Sequence, residues 1–519
     1  MNSMAEILAG HAAAQPDRLF AADHAGNELT YGQAWKQILE MAGALTGAYG
    51  IGKGDVVMVE CNQDVFFLTV NLACELVGAV FVPIESNASE DRKQSIREES
   101  GAKLWIGRNP LEGLRSVACE ELLCDQGEAG TRDEQPMAEE TAGPSTETGV
   151  ESEQERSDSD GVKTPVEFPA ADALAQLLYT TGTTGKSKGI MISNGANVAL
   201  AQNIREGVQM KEGSVEAIPV PLSHSHGLRC AYANLLNGCT IVLMDGLLRV
   251  KKVFALMDRY HVTAMDLSPS AATLLIKVSK GAFFEYARKL DYIQLGTAAL
   301  PEGLKEQLVT ELPGVHLYNF YGSTESGRSC VLDFSVEKGR ESCIGREAVN
   351  AQIEFTDDDR RIIRATKEEP GLLASKGSMN MIGYWKNPEL TAEIMRDGYI
   401  FTNDLGYKDE DGFVYVLGRR DDVINCNGIK IAPDEIEEVA VAYAGVKDAA
   451  CVPQKDELAG QVPKLFISLE VGRELDLKAY SEYLTEHLDG NKVPKRIEII
   501  DEIPRTFNGK LKRKELVGR

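Results

Sequence analysis

The run Tyr179-Thr180-Thr181-Gly182-Thr183-Thr184-Gly185-Lys186-Ser187-Lys188-Gly189 constrains this chain more than any other. It gathers three glycines, four threonines, one serine and two lysines into one short segment. Glycine lets the backbone take positive φ and approach an anion closely. Consecutive N–H groups and hydroxyls then donate to phosphate oxygens, and lysine adds charge. A Walker P-loop is the first arrangement to test, and it fails on spacing. That motif places a glycine five residues before the glycine of Gly-Lys-Ser, and counting back from Gly185 reaches Thr180. It also leads directly into a helix, whereas Gly189-Ile190-Met191-Ile192-Ser193 reads as a short apolar strand. A flexible Gly/Ser/Thr linker is the plain alternative. Such linkers rarely lie between two apolar, strand-like runs, here Leu177-Leu178-Tyr179 and Ile190-Met191-Ile192. The segment reads as a loop that holds nucleotide phosphates in a non-Walker way.

With 519 residues the chain exceeds what one core supports, so two or more domains are expected. Its net charge of −24 repels phosphate backbones and anionic lipid, which argues against nucleic-acid or membrane-surface partners. The N-terminus has no basic start, apolar core and cleavage site, and no run approaches the roughly 20 apolar residues of a membrane span. The terminal Val-Gly-Arg carries no retention or peroxisomal address. Ten cysteines are scattered, with no Cys-x-x-Cys pair and no cluster at zinc spacing. These features predict reduced thiols in a cytoplasmic enzyme.

Residues 1–120 alternate strand-like and helix-like runs. Val56–Glu60 and Ala79–Pro83 read as strands, and Ala34–Leu45 and Phe66–Val77 as helices. This alternation predicts a parallel sheet covered by helices. It stops between residues 125 and 160, where twelve acids face two bases (Arg132 and Arg156) amid Pro, Gly, Ser and Thr. Such a segment cannot bury enough apolar surface to order itself, and it reads as an acidic surface insertion. Alternation resumes with strands at Ala217–Val220, Thr240–Leu243, Ala264–Leu267 and Tyr292–Leu295. After Gly345 short strands and turns predict a small, mostly antiparallel region at Ala351–Thr356, Arg361–Arg364, Leu372–Ser375 and Phe413–Leu417. From about Asp421 a last unit of domain size alternates again. The fold class is α/β: a large N-terminal domain of layered parallel sheets with helices and a small antiparallel β region, then a smaller α+β C-terminal domain.

Four further segments carry chemistry: Tyr318-Asn319-Phe320-Tyr321-Gly322-Ser323-Thr324-Glu325-Ser326, Phe401-Thr402-Asn403-Asp404, Gly418-Arg419-Arg420-Asp421-Asp422, and Lys510 beside Gly509. Alone, each is explained by a solvated turn, a surface ion pair or a basic tail. In this order, together with the phosphate loop, they resemble the adenylate-forming superfamily of acyl-CoA synthetases, luciferases and peptide-synthetase adenylation domains. The resemblance runs from about residue 5 to Lys510. It implies ATP-dependent conversion of a carboxylic acid to acyl-AMP and pyrophosphate, then transfer to a thiol with release of AMP, and so the cofactors ATP, Mg²⁺ and coenzyme A.

By that resemblance Thr180, Thr181, Gly182, Thr183, Thr184, Gly185 and Lys188 hold the β- and γ-phosphates. Ser187 stands where many relatives have proline. Thr324 bonds the α-phosphate, and Glu325 holds Mg²⁺, a hard ion suited to carboxylate and phosphate oxygens. Tyr321 stacks on adenine, whose other side faces the loop of Gly296, Thr297 and Ala298. Asp404 accepts from the ribose hydroxyls, with Asn403 replacing the usual glycine, and Arg419 also reaches the ribose. Lys510 bridges carboxylate and phosphate oxygens as charge develops. The resemblance divides the chain into a large domain 1–418, a hinge 419–422 pivoting at Asp421, and a mobile small domain 423–519. Gly428 and Lys430 lie on the face that turns inward for thioester formation.

The segment Pro221-Leu222-Ser223-His224-Ser225-His226-Gly227 meets the acyl group in the superfamily. It lacks the aspartate that holds an amino-acid ammonium, and no carrier domain follows Lys510. His224 matches the histidine near the substrate carboxylate, while His226 reads as a packed core histidine. Gly322 falls where acetate-specific relatives carry a pocket-closing tryptophan, which predicts an acid longer than acetate. Phe320 stands where aryl-CoA ligases often have glycine, which predicts a restricted cavity. The His-x-His-Gly-Leu string is also similar to that of small-dicarboxylate synthetases, which need arginine for the second carboxylate. Leu274 occupies one such position, leaving Arg229 as the nearby candidate. Medium-chain, aromatic and small dicarboxylic acids all remain open, with fatty acid metabolism one setting.

The leading reading is a stand-alone acyl-CoA synthetase. A ligase loading an acyl carrier protein is the alternative within the superfamily, and a non-catalytic nucleotide-binding regulator is the alternative of another class. Retention of Thr324, Glu325, Asp404, Arg419 and Lys510 together speaks against the regulator. If the acidic segment is a passive insertion, deleting residues 125–160 should leave the rate of adenylation nearly unchanged. A large fall in pyrophosphate release would instead tie the segment to the phosphate loop or to a partner.

Overall fold

The computed structural model describes residues 1–123, 166–181, 187–426, 429–456, 459–505 and 511–519. The acidic segment 125–160 lies outside the described residues. Among those described, three sheets organise the chain, of fifteen, seven and five strands. Local signals start the elements. Thr30 opens the helix Tyr31–Gly47 with a capping box, its hydroxyl accepting from Gln33 N–H while the Gln33 side chain accepts from Thr30 N–H. Asp64 caps the helix Val65–Leu76, and Ser268 with Pro269 opens Pro269–Val278.

In the seven-stranded sheet, Val56–Cys61 pairs in parallel with Val80–Glu85 and Leu104–Ile106. The first two strands are apolar on both faces and almost wholly buried, as parallel strands covered by helices must be. Leu174–Thr181 joins this sheet beside Val80–Glu85 and turns back antiparallel as Ser187–Ser193. Thr180 stands opposite Lys188, and Thr181 opposite Ser187. The glycine- and threonine-rich run is therefore flanked by two antiparallel strands, and its residues 182–186 lie outside the described residues. The next helix, Asn194–Gly207, begins only after the second strand, with Ser193 as its cap.

The largest sheet has a parallel core of Thr240–Leu243, Val215–Ile218, Ala264–Leu267, Tyr292–Leu295 and His316–Ser323. It continues antiparallel through Gly327–Asp333, Cys343–Glu347, Val414–Arg419, Tyr399–Lys408, Gly371–Gly377 and Ala351–Thr356. One local expectation is corrected. The strands Leu19–Ala22 and Glu28–Thr30 join this sheet, with Leu19–Ala22 parallel to Thr240–Leu243, rather than the sheet of Val56–Cys61. Pairing partners more than 200 residues apart leave no local trace in a four-residue apolar strand.

From Ile424 onward a five-stranded sheet carries the helices Pro433–Ala442 and Leu477–His487 and closes its own core around Ile436, Leu465, Ile467 and Tyr480. This unit touches the large one where Glu438 Oε1 accepts from the N–H of Glu302, at 3.0 Å. No helix among the described residues is long and apolar enough to cross a membrane.

Two buried carboxyls tie stability to pH. Burial pushes Glu75 up to about 7, and burial followed by repulsion from Asp266 pushes Glu216 to about 7 as well. Both folded values exceed the ordinary 4.5. The native state therefore binds more protons than the unfolded chain between these values, and stability falls as pH rises through the window. Glu75→Gln keeps an acceptor for the Ala5 N–H, which Glu75 accepts at 2.9 Å, and removes the charge. Its thermal midpoint should exceed that of the parent at pH 8 and approach it at pH 5. An equal offset at both pH values would show that Glu75 does not contribute this dependence.

Candidate active site

The strand His316–Ser323 runs parallel to Tyr292–Leu295, turns at residues 324–326 and returns as Gly327–Asp333. The return is unusually close. A Cβ at Gly322 would lie 1.8 Å from the carbonyl oxygen of Gly327, and the strand register shifts between Tyr321 and Gly322. Glycine at 322 is thus required by the backbone itself, a constraint separate from the pocket-opening role expected of it. Gly327 takes φ +65°, which glycine adopts without strain. The turn presents Thr324 and Glu325, both half-buried.

Thr324 is held from the helix Ser225–Leu236. Its carbonyl accepts from Arg229 Nη2 at 3.1 Å, and its hydroxyl lies 3.3 Å from that of Ser225. Glu325 is held from the other side: its carbonyl accepts from Met381 N–H at 2.8 Å, and its Oε1 from the Tyr384 phenol at 2.9 Å. Its Oε2 has no partner among the described residues, which suits a hard cation. Tyr384 pairs with Ile190 on the phosphate hairpin, and Lys188 Nζ sits 5.6 Å from its ring centroid. Lys188, Tyr384 and Glu325 thus form one continuous contact.

Three residues before Thr324, on the same strand, the Tyr321 phenol donates to Asp404 Oδ2. Asp404 faces Arg419 across the antiparallel pair, with Nε 3.6 Å from Oδ1. Burial and then the Asp404 charge push the Tyr321 phenol well up, so it remains a donor. In the loop that follows the neighbouring strand Tyr292–Leu295, Gly296 is buried while Thr297, at φ +79°, and Ala298 are exposed. A Cβ at Gly296 would meet His226 Cε1 at 2.5 Å, so the glycine leaves room for the imidazole beneath it.

His224 precedes the helix Ser225–Leu236 and makes no capping bond with its side chain. Its Nε2 is buried without a partner, and burial lowers its pKa, favouring the neutral ring. His226 is packed in the core, with Nε2 2.6 Å from Asp266 Oδ1 and the ring 3.1 Å from Arg328 Nη2. Phe320 is buried between the helix at Gly207 and the guanidinium of Arg328, whose Cζ lies 4.5 Å from its ring centroid. Arg229 departs from expectation: rather than standing open to a second carboxylate, it is buried beneath Thr324, and its Nε has no partner.

Several expected residues lie beyond these contacts. Gly182, Thr183, Thr184, Gly185, Gly428 and Lys510 are outside the described residues. Thr181 and Lys430 are placed only as strand positions, opposite Ser187 and Asn425. Asp421 is exposed in the connection between the sheets. On its two sides Arg420 Nη1 pairs with Asp358 at 2.6 Å, and Asp422 with Arg513 at 3.8 Å. Conversely, Tyr384, Gln294, Asp266 and Arg328 belong to the site and carry no motif. The available signal was Arg328, a charge opening the otherwise uncharged run Ser329-Cys330-Val331-Leu332.

Comparison with known proteins places these observations. The family model described as AMP-binding enzyme matches residues 8–385, and that of the AMP-binding enzyme C-terminal domain matches residues 435–510. The chain is 28% identical over 504 residues to 2-succinylbenzoate–CoA ligase of Geobacillus sp. strain WCH70, covering 96% of this chain and 94% of the relative. The ligase of the same description from Geobacillus kaustophilus is 32% identical over 348 residues, covering 66% and 69%. Among solved structures, o-succinylbenzoate CoA synthetase from Bacillus subtilis, in complex with its acyl-adenylate intermediate, superposes with a TM-score of 0.80 at 24% identity, covering 99% and 98%. ATP-bound MatB from Rhodopseudomonas palustris superposes with 0.82 at 22% identity and the same coverage. These structures share the fold.

The closeness of Gly322 to Gly327 generates a sharp expectation. Gly322→Ala must push the 324–326 turn away, because a methyl cannot sit 1.8 Å from a carbonyl oxygen. Adenylation should fall on the order of 100-fold or more, as small misplacements at a reacting centre do. Wild-type pyrophosphate release from this variant would refute the constraint.

Proposed function

The chain belongs to the AMP-binding enzyme family, and from that premise we propose a residue-by-residue division of labour for an AMP-forming acid–CoA ligase. An oxygen of the acid's carboxylate attacks the α-phosphorus of ATP, and the bond to pyrophosphate breaks. The thiol sulfur of coenzyme A, having lost its proton, then attacks the acyl carbon, and the acyl–oxygen bond breaks to release AMP. Both steps are governed mainly by positioning and by charge stabilisation.

Thr180, Lys188 and the hairpin tip take the β- and γ-phosphates, and Thr324 takes the α-phosphate. Glu325 Oε2 is the group that would hold Mg²⁺, which neutralises phosphate charge when bound. Tyr321 and the Gly296–Ala298 loop border adenine, and Asp404 with Arg419 meets the ribose. His224 faces the acid's carboxylate with a neutral ring. Lys510 serves adenylation from the small domain, which pivots at Asp421 to bring Gly428 and Lys430 round for the thiol. The reading rests above all on the contact running from Lys188 through Tyr384 to Glu325. It joins the phosphate hairpin to the carboxylate proposed for the metal.

The acid is aromatic or dicarboxylic, the classes carried by the names of the curated relatives. Those names also favour coenzyme A over a carrier protein as acceptor. Nine cysteines among the described residues are free, which supports a cytoplasmic setting. The test is AMP release with ATP, Mg²⁺ and coenzyme A across a panel of aromatic, dicarboxylic and medium-chain acids. AMP formation dependent on both acid and coenzyme A is expected. Lys510→Ala should abolish adenylation while thioester formation from supplied acyl adenylate survives. Equal loss of both half-reactions would contradict the two-orientation scheme.

A further inference from the structure

Two buried guanidiniums lie beside the segment that meets the acid. Arg229 is 3% exposed and Arg328 5%. Among the described residues, the hydrogen-bond partners of the Arg328 guanidinium are uncharged: Gln294 Oε1 at 2.7 Å, Cys230 Sγ at 2.8 Å and the His226 ring at 3.1 Å. The carboxylates nearest to Arg328 act at one remove. Asp266 holds His226 at 2.6 Å, and Glu216 accepts from Gln294. With Nε2–H given to Asp266, His226 Nδ1 is left to accept from Arg328, so the ring is neutral. Burial and the Arg328 charge lower its pKa accordingly.

The charge count is lopsided. Arg229 and Arg328 repel each other, and Glu325 is committed to the proposed metal position. Glu216, pushed up to about 7, has lost part of its charge at neutral pH. Asp266 and Glu216 thus reach Arg328 only through His226 and Gln294. Buried charge is costly without a paired counter-charge, so the pocket lacks an anion. A metal ion is not the answer. His226, Cys230 and Asp266 bring ligand atoms within 4.8 Å of one another, but the Arg328 guanidinium already bonds two of them and would repel a cation.

The position of Arg328 identifies which ligand supplies the anion. It stacks on Phe320, the residue that the resemblance assigns to the acyl pocket, with Cζ 4.5 Å from the ring centroid. Phe320 in turn packs on Gly207, where a Cβ would lie 3.1 Å from its Cζ.

We propose that Arg328 is the specificity-determining residue of the acyl pocket, and that the acid bears a second carboxylate. The inference rests on the ligase reading and sharpens its substrate class. Arginine suits the task because its planar fork matches a carboxylate with two parallel N–H donors.

The test measures kcat/KM by AMP release for acids matched in length: succinate against butyrate, glutarate against pentanoate, and benzene-1,2-dicarboxylate against benzoate. Wild type should favour the diacid on the order of 100-fold in at least one pair, since a site built for a polar group rejects analogues that lack it. Arg328→Met should erase that ratio while KM for ATP holds, and Arg328→Lys should restore part of it. A thermal shift of Arg328→Met by ATP and Mg²⁺ reports that the variant is folded. Preference for monoacids in wild type would overturn the inference and leave the ligase reading intact. An equal loss on both acids with a raised KM for ATP would overturn it in favour of a framework role. Silence with every acid would overturn both readings.

Discussion

The site depends on one close backbone approach. The Gly327 carbonyl comes so close to Gly322 that no side chain fits at 322, while a Cβ at Gly327 would press on Leu200 and Met379. The four residues between must therefore form a compact turn, and Thr324 and Glu325 lie at its centre. Everything else in the cleft is arranged to hold that turn. Arg229 and Ser225 reach it from one helix, Met381 and Tyr384 from the strand segment beyond, and Arg328 continues from its return strand. A turn fixed on so many sides needs little reorganisation when charge develops on a phosphate beside it, which is what electrostatic catalysis requires.

A chain of net charge −24 that handles polyanionic substrates must concentrate its positive charge locally. It does so with few groups, most of them out of water. Arg229 and Arg328 are buried, and Lys188 stands over an aromatic ring, where the cation meets the negative face of the π-system. In a low-dielectric interior each such charge acts more strongly than on the surface. Repulsion by the acidic exterior therefore does not prevent binding in the cleft.

How much was legible in the sequence varies with the distance over which a residue acts. The strands Thr240–Leu243, Ala264–Leu267 and Tyr292–Leu295 were read residue for residue, because a short apolar run bounded by turns is a local signal. The two strands flanking the phosphate run were legible for the same reason. Assignment of Leu19–Ala22 to its sheet was not, since the pairing depends on Thr240–Leu243. The buried set Glu216, Gln294, Arg328, His226 and Asp266 was invisible as a set. Its members come from four strands and a helix, and only the fold makes them neighbours. Arg229 was legible as a candidate but not in its contacts, because helix position alone does not say that a guanidinium points beneath Thr324.

The contacts between the two units are of a strength that suits a swinging domain. The pair Arg420–Asp358 is exposed on both sides, and such pairs contribute about 0–1 kcal/mol. The bond from Glu302 N–H to Glu438 is a different device: it supplies an acceptor to the first turn of the helix Glu302–Glu311, which has no side-chain cap of its own. Yet Glu438 is itself pushed up to about 7, by burial first and then by Glu302 and Asp434, so its hold is partly given back. On the far side of Asp421 the balance reverses. Arg513 is gripped by Asp434 and Glu437 and approached by Asp422, all within the small unit. The connection itself meets the large unit where Arg420 N–H donates to the Asn403 carbonyl at 2.7 Å, and the small one through Asp422 and Arg513 at 3.8 Å. A rotation about Asp421 would leave the Arg513 cluster with Asp434 and Glu437 intact, because all three residues lie beyond the pivot.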